Sequence, residues 1–375
     1  MKILHVITGL DVGGAETMLY RLCSGMNPNR FESRVVSLIP PGPVGEQLSG
    51  AGIEVDSLDM RRGVPSPAGL FKLVRLIRSW RPDLIQTWLY HADLAGLMAA
   101  KLAFPLGGGP KVAWNIRCSY MALEEYRRLT GLTLRACAAL SGLPDLILTN
   151  SHDAKRFHQE LGYHPKRFEV VHNGFDIDRF KPDPAAREEV RRELSVDSDS
   201  LIIGQVARFD PMKDHQTMIR AAAAVQSDRE TVFVFAGRGM DHDNLDLATW
   251  LAESGLDPAR VRLLGERADV PRLMAAMDIH VSSSLGESFP GAVGEAMACG
   301  VPNVVTDVGD AALLAGETGV TVPPGDPAAL ATALSRLAAL EPGALRTMGQ
   351  AARLRIAERF SLSAMVECYE RIYAA

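Results

Sequence analysis

The run Glu287-Ser288-Phe289-Pro290-Gly291-Ala292-Val293-Gly294-Glu295-Ala296-Met297-Ala298-Cys299-Gly300-Val301-Pro302 decides how this chain is read. The apolar stretch 278–281 before it reads as a buried parallel strand, residues 282–286 as its loop, and residues 291–299 as the helix that follows. In doubly wound sheets ligands bind in the crevice at the strand carboxyl ends, so Glu287 is expected in that crevice. Glu295 falls about one turn into the helix. Two carboxylates so placed can accept paired hydrogen bonds from the hydroxyls of a polyol, while amides at the helix start donate to a further oxygen. Taken alone, either acid could equally be a solvated residue on a helix surface.

Upstream, Ile202-Ile203-Gly204-Gln205-Val206-Ala207-Arg208-Phe209-Asp210-Pro211-Met212-Lys213 reads as a strand ending near Arg208, with Lys213 on the loop before another helix. Arg forks onto phosphate oxygens and Lys acts as a compact point charge. Two cations leaving one strand end therefore suit a diphosphate, and could stabilise a departing nucleoside diphosphate without a metal.

The same βα rhythm fills the chain. Apolar runs at 3–7, 33–38, 84–86, 146–149 and 168–171 alternate with helical patterns at 16–25, 45–51 and 92–103. After the polar, proline-containing stretch 181–200, which reads as linker plus a charged helix, strands follow at 201–206, 231–236, 261–264, 279–282, 303–306 and 320–322. The fold class is α/β, with two Rossmann-like doubly wound parallel-sheet domains facing across a cleft.

Taken together, these segments resemble the GT-B glycosyltransferases, specifically the retaining family 4 (glycosyl transferases group 1). The likeness rests on Gly9 to Glu16 after the opening strand, Val171-His172-Asn173-Gly174-Phe175-Asp176, the Arg208 to Lys213 segment, Leu264-Gly265-Glu266-Arg267, the Glu287 to Glu295 run, Thr306-Asp307-Val308-Gly309 and Val322-Pro323-Pro324-Gly325-Asp326. It implies an acceptor-side domain over 1–180, a nucleotide-sugar domain over 181–360, and a final helix within 361–375 packing back on the first domain. It also implies roles. Arg208 and Lys213 would hold the donor diphosphate, and Glu295 the ribose hydroxyls. Glu287, with Ser288 and the backbone of Phe289, Pro290 and Gly291, would address the transferred sugar. Gly13 and Gly14 would let backbone approach the phosphates. Asn173 and the segment around Arg267 complete the donor-binding set, the latter near the nucleotide base. Many relatives carry a histidine where this chain has Trp88. His91, at the start of the next helix, stands in as the catalytic candidate, since a helix N-terminus favours the neutral imidazole. His91 as a capping or surface residue is the competing reading.

Composition bounds the rest. The chain has 375 residues, enough for two domains, with 47% hydrophobic and 23% charged residues and a net charge of -5, which exerts no general pull on nucleic acid. Its 5 cysteines are scattered and lack the spacing of a zinc site, arguing for a reducing compartment. With no leader pattern and no long apolar window, the expected location is cytoplasmic. Lys72, Arg75, Arg78 and Arg81 form a basic ridge on a helix, which allows peripheral contact with the inner face of the membrane; an ordinary solvated helix face is the favoured reading. No metal and no cofactor are expected. Asp241-His242-Asp243 and Asp176-Ile177-Asp178 are read as loop residues, not metal ligands.

The expected activity is transfer of a hexose from a nucleotide sugar, UDP favoured over GDP, to a glycan, lipid-linked or small-molecule acceptor with retention. First-domain loops near Val12, Tyr90 and 114–120 would form the acceptor groove. The rivals are a GT-B-fold sugar-nucleotide epimerase or phosphorylase, and a non-catalytic nucleotide-sugar-binding scaffold. A Rossmann dehydrogenase is disfavoured because Gly9 to Gly14 does not match G-x-G-x-x-G.

Overall fold

The computed structural model describes residues 1–61, 64, 66–118 and 128–375. The chain divides into two compact units, Met1–Gly174 with Leu362–Ala375, and Phe175–Ser361. Among the described residues the first unit holds seven strands: β1 (Lys2–Ile7), β2 (Glu32–Ser37), β3 (Glu54–Ser57), β4 (Leu84–Trp88), β5 (Lys111–Ile116), β6 (Leu146–Thr149) and β7 (Phe168–Val170). They pair in parallel in the order β3-β2-β1-β4-β5-β6-β7. The second unit holds β8 (Leu201–Val206), β9 (Thr231–Ala236), β10 (Val261–Leu263), β11 (Ile279–Ser282), β12 (Asn303–Thr306) and β13 (Val320–Val322), all parallel, in the order β10-β9-β8-β11-β12-β13. Both sheets are Rossmann-like. Their central strands are buried on both faces, which is why they read as near-continuous apolar runs.

Two strands escaped the sequence reading. β3 is short and half acidic, and β5 carries Asn115 in its interior. Asn115 is tolerated there because its amide donates to the Tyr369 hydroxyl at 3.0 Å. Trp114, open to either an acceptor-loop contact or a core position, is fully buried within β5; Tyr120 lies outside the described residues.

Helix Leu362–Ala374 belongs to the first unit, burying Met365, Val366, Tyr369 and Tyr373 against its core. The chain has already entered the second unit at Phe175, whose amide donates to Phe360 O at 2.8 Å and whose ring stacks on Phe289 at 6.0 Å. Gly294 leaves the space that ring fills, since a Cβ there would overlap it. The stretch expected as linker plus a charged helix belongs to the second unit. Its helix Pro184–Glu193 is capped by Asp183, and Arg187 and Arg191 grip Asp278 at 2.6 and 3.3 Å, while Asp278 also accepts from Ile202 N at 2.8 Å. The expected Asp-x-Asp loops are turns: Asp176 and Asp241 each cap a backbone amide two residues on.

Helix Pro67–Trp80 buries Leu73, Val74 and Ile77. Of its basic ridge, Arg78 donates to Leu102 O and Ala103 O at 2.9 and 3.1 Å, capping the neighbouring helix, and Lys72 lies 3.9 Å from Asp59. Among the described residues no helix is long and apolar enough to cross a membrane.

Four buried histidines, His5, His158, His215 and His280, are held neutral. Burial takes His5 down to about 3, and His158 and His280 to about 4. His158 donates from Nδ1 to Ala154 O and accepts from the Tyr90 hydroxyl, both at 2.7 Å. Each folded value lies below the ordinary 6.5, so the stability these groups contribute is complete above about pH 6.5 and lost as pH falls toward 4. Asp93 works in the opposite sense: burial raises its carboxyl, so it keeps a proton in the folded state and offsets one of the four. Each net proton is worth roughly 1.4 kcal/mol per pH unit. The thermal midpoint should therefore fall steadily from pH 6.5 to 4.5 and fall less steeply in His158→Gln. A flat profile in the wild type would contradict this account.

Candidate functional site

In the second unit the strand order reverses between β8 and β11, and the loops leaving their carboxyl ends diverge to open a crevice. Lys213 comes from the loop after β8 and Glu287 from the loop after β11. The structure brings them into contact: Lys213 Nζ lies 2.5 Å from Glu287 Oε1, and Ser284 Oγ donates to the same oxygen at 2.8 Å. Both side chains are mostly enclosed, 21% and 14% exposed, so the pair is screened less than a surface ion pair.

The two loops are tied together beneath this pair. Ser283 Oγ donates to Lys213 O and Asp214 O at 2.9 and 3.0 Å and accepts from Gln205 Nε2 at 2.8 Å. Leu285 N donates to Met212 O at 2.8 Å. Buried His215 sets one ring nitrogen 3.0 Å from Gln205 Oε1 and the other 2.9 Å from Arg208 O, and its ring stacks on Phe209 at 5.7 Å. Thr306 Oγ1 donates to Ser284 O at 2.6 Å from β12. The Thr306-Asp307-Val308-Gly309 segment then passes against the back of Glu287. Gly309 has φ +55, and a Cβ there would overlap Glu287 O. The glycine is required twice over, by its left-handed backbone and by that approach.

Arg208 stands apart from the pair. Its guanidinium lies on Asp210 at 2.7 Å, and its side chain is 65% exposed, able to swing to an anion arriving at the strand end. Glu295 sits half-buried on helix Gly291–Ala298. Phe289 is committed to the core between Phe175 and Phe360, leaving only its backbone for a ligand. Arg267 is likewise committed: its guanidinium pairs with Glu193 and, at 2.7 and 2.8 Å, with Asp269, and these carboxylates raise its pKa further. It fixes its loop, so a ligand beside it would meet backbone. Ser288 O accepts from Asp310 N at 3.1 Å, and Pro290 caps the helix that begins at Gly291.

The first unit has its own reversal, between β1 and β4. Gly13 caps helix Gly14–Gly25, and a Cβ on Gly13 would strike the Glu16 carboxylate, which folds back over that helix start; Gly14 has open space around it. The helix N-terminus thus already faces a carboxylate of its own chain. After β4, Leu89 takes φ 73, strained for a branched side chain, and this turn starts helix Tyr90–Ala103 with His91 in its first turn. Burial lowers the His91 pKa, so the ring is neutral near pH 7. Arg117, at the end of β5, lies 5.6 Å over the Trp88 ring and donates to Asn173 Oδ1, with Tyr369 and Glu16 as electrostatic partners. Trp88 Nε1 in turn donates to His5 Nδ1 at 3.3 Å.

Sequence reasoning missed Ser283 and Ser284, which hold Lys213 and Glu287 in register. Their signal was the run Ser282-Ser283-Ser284 closing an apolar strand, three hydroxyls where a solvated loop needs none. Arg117 was visible only as part of the 114–120 stretch expected at the acceptor groove, not as a partner of Trp88 and Asn173.

Comparisons agree with this architecture. Residues 12–179 match the family model for Glycosyltransferase Family 4, and residues 200–339 that for glycosyl transferases group 1. EpsF of Bacillus subtilis strain 168 is 27% identical over 326 residues, 82% of this chain and 79% of its own length. A UDP-Gal:alpha-D-GlcNAc-diphosphoundecaprenol alpha-1,3-galactosyltransferase of Escherichia coli is 27% identical over 246 residues, 64% of this chain and 61% of its own length, so the match spans under two thirds of that relative. The crystal structure of Anabaena HepE in complex with UDP-glucose superposes with a TM-score of 0.82 at 25% identity, covering 100% of both chains. The chain belongs to the group 1 glycosyltransferases and has their GT-B fold.

Gly309→Ala should push Glu287 out of place and lower transfer activity at least about tenfold. Gly52→Ala, also at positive φ but with nothing within 4 Å, should leave activity unchanged. Equal activity in the two variants would contradict the close-approach argument.

Proposed function

We propose that this glycosyltransferase moves a hexose from a UDP sugar to a glycan or lipid-linked acceptor, with retention at the anomeric carbon and without a metal. The observation that carries the reading is the contact of Lys213 with Glu287 at the crevice of the second sheet. One group has the charge to meet a diphosphate, the other the acceptor oxygens to hold sugar hydroxyls, and in a nucleotide sugar those moieties are bonded to each other. The choice of UDP is supported by the UDP-glucose complex of HepE and by the UDP-Gal named for the Escherichia coli relative, whose diphosphoundecaprenol acceptor supports the lipid-linked option.

In this mechanism Lys213 turns from Glu287 to the diphosphate as the donor binds, and Arg208 leaves Asp210 to join it. The two cations stabilise the negative charge that grows on the leaving phosphate, which makes a divalent ion unnecessary. Glu287, freed toward the sugar but still fixed by Ser284, holds hydroxyls and orients the ring. Held by Ser284 and engaged with the sugar hydroxyls, Glu287 positions the ring and does not attack it, which favours front-face attack with the departing phosphate taking the acceptor proton. Glu295 is assigned to the ribose hydroxyls, with the backbone of 288–291 and the turn near Arg267 completing the donor site. In the first unit Gly13, Gly14, Asn173 and His91 are assigned to the phosphate and sugar side. No nucleic acid partner is proposed. Contact with a membrane surface would rest on Arg75 and Arg81, since Arg78 is engaged within the fold and Lys72 faces Asp59.

Incubation with UDP sugars and acceptor lipid or glycan should release UDP and give an anomerically retained product by NMR. Lys213→Ala should lower kcat/KM by roughly 100-fold or more, and Arg208→Ala by a comparable factor. EDTA should leave turnover intact. Free sugar epimerised without transfer, or a requirement for inorganic phosphate, would favour the epimerase or phosphorylase; tight donor binding without turnover would favour a scaffold.

A further inference from the structure

Beneath the Lys213 and Glu287 pair lies a small cavity of about 40 Å³, lined by Gln205, His280, Ser282 and Ser284 as well as by the pair itself. A water needs roughly 10 to 15 Å³, so the space admits a hydroxyl or hydroxymethyl group. His280 and Ser282 sit two apart on β11 and so share a sheet face. Helix Gly291–Ala298 covers that face, and its first residues, Gly291 and Ala292, close the cavity.

The protonation of His280 is fixed by its neighbour. Asn303 Nδ2 donates to Val301 O at 3.0 Å, which turns Asn303 Oδ1 toward His280 Nδ1 at 2.6 Å. An acceptor facing Nδ1 places the proton there and leaves Nε2 with a lone pair. His280 is 1% exposed, and its Nε2 has no hydrogen-bond partner. A buried acceptor left unmet costs free energy, which a donor reaching Nε2 from the adjoining cavity would relieve. Burial holds the ring neutral, which keeps the lone pair available at physiological pH.

We propose that His280 is a sugar-binding residue: a hydroxyl of the transferred sugar enters this cavity and donates to Nε2, while Ser282 and Ser284 offer it further partners. This rests on the donor site described above and adds a determinant of which sugar is accepted. A hexose with its hydroxyl turned away would leave Nε2 unmet and bind more weakly, so one nitrogen would discriminate epimers.

The test is calorimetric titration of UDP, UDP-glucose and UDP-galactose into the wild type and His280→Phe, which keeps the ring and removes the acceptor. The expected result is UDP affinity within twofold in both proteins, and about 3- to 10-fold weaker binding of the preferred nucleotide sugar in the variant. Unchanged sugar-nucleotide affinity would overturn the assignment and leave the cavity to a trapped water. Equal weakening of UDP and nucleotide sugar would overturn it by showing a structural role only. If the wild type binds none of the three, the donor-site reading fails and the assignment falls with it. Should His280→Phe not fold, nitrogen NMR of wild-type His280 decides: Nε2 should shift on adding the nucleotide sugar and not on adding UDP, and an unmoved resonance refutes the proposal.

Discussion

The second unit is organised around one constraint: an ammonium and a carboxylate from two different strand ends must meet in a partly enclosed place. Lys213 and Glu287 attract each other strongly there, but the pair is useful only if both loops are held still, because long side chains lose much of that attraction to their own freedom. The surrounding chemistry supplies the restraint. Ser283 bridges to the backbone of the lysine loop, Ser284 grips the carboxylate, and Thr306 holds Ser284 from the next strand. Gly309 lets a fourth segment close against Glu287 without a side chain between. On the proposed reading a nucleotide sugar would meet positive charge and hydroxyl acceptors already in place, so less ordering would be left to be done on binding.

Much of this was legible in the sequence, for reasons that are local. Strands such as β8 and β9 are buried on both faces and therefore read as apolar runs, and the turn glycines mark where backbone must take φ values other residues avoid. The order of Arg208, Lys213, Glu287 and Glu295 along one βα series was enough to place them near strand ends. What escaped depends on distant partners. β5 hides because Asn115 is acceptable only once Tyr369 arrives from the far end of the chain. A carboxylate that holds Arg267 reaches it from Glu193 across the fold, and the charged helix expected after residue 180 shows its anchor, Asp278, only in the folded chain. His280 sits in a run that periodicity assigns to the core, and only the orientation of Asn303 shows which nitrogen is left open.

The two units solve related problems differently. In the second, charge is concentrated and exposed to a ligand at the strand ends. In the first, the strand reversal is filled by the fold's own polar groups, with Glu16 over the helix start, Arg117 on Trp88 and Asn173, and the two C-terminal tyrosines reaching Asn115 and Gln86. The turn at Leu89, with its positive φ, leads into the helix that bears His91.

The central claim, that Lys213 exchanges Glu287 for the donor diphosphate, is tested most directly by a crystal structure with UDP bound. The account predicts Lys213 Nζ within hydrogen-bond distance of a phosphate oxygen, with the Glu287 carboxylate still held by Ser284 and facing the space a sugar would fill. UDP bound away from the β8 and β11 strand ends, with Lys213 still resting on Glu287 alone, would contradict it.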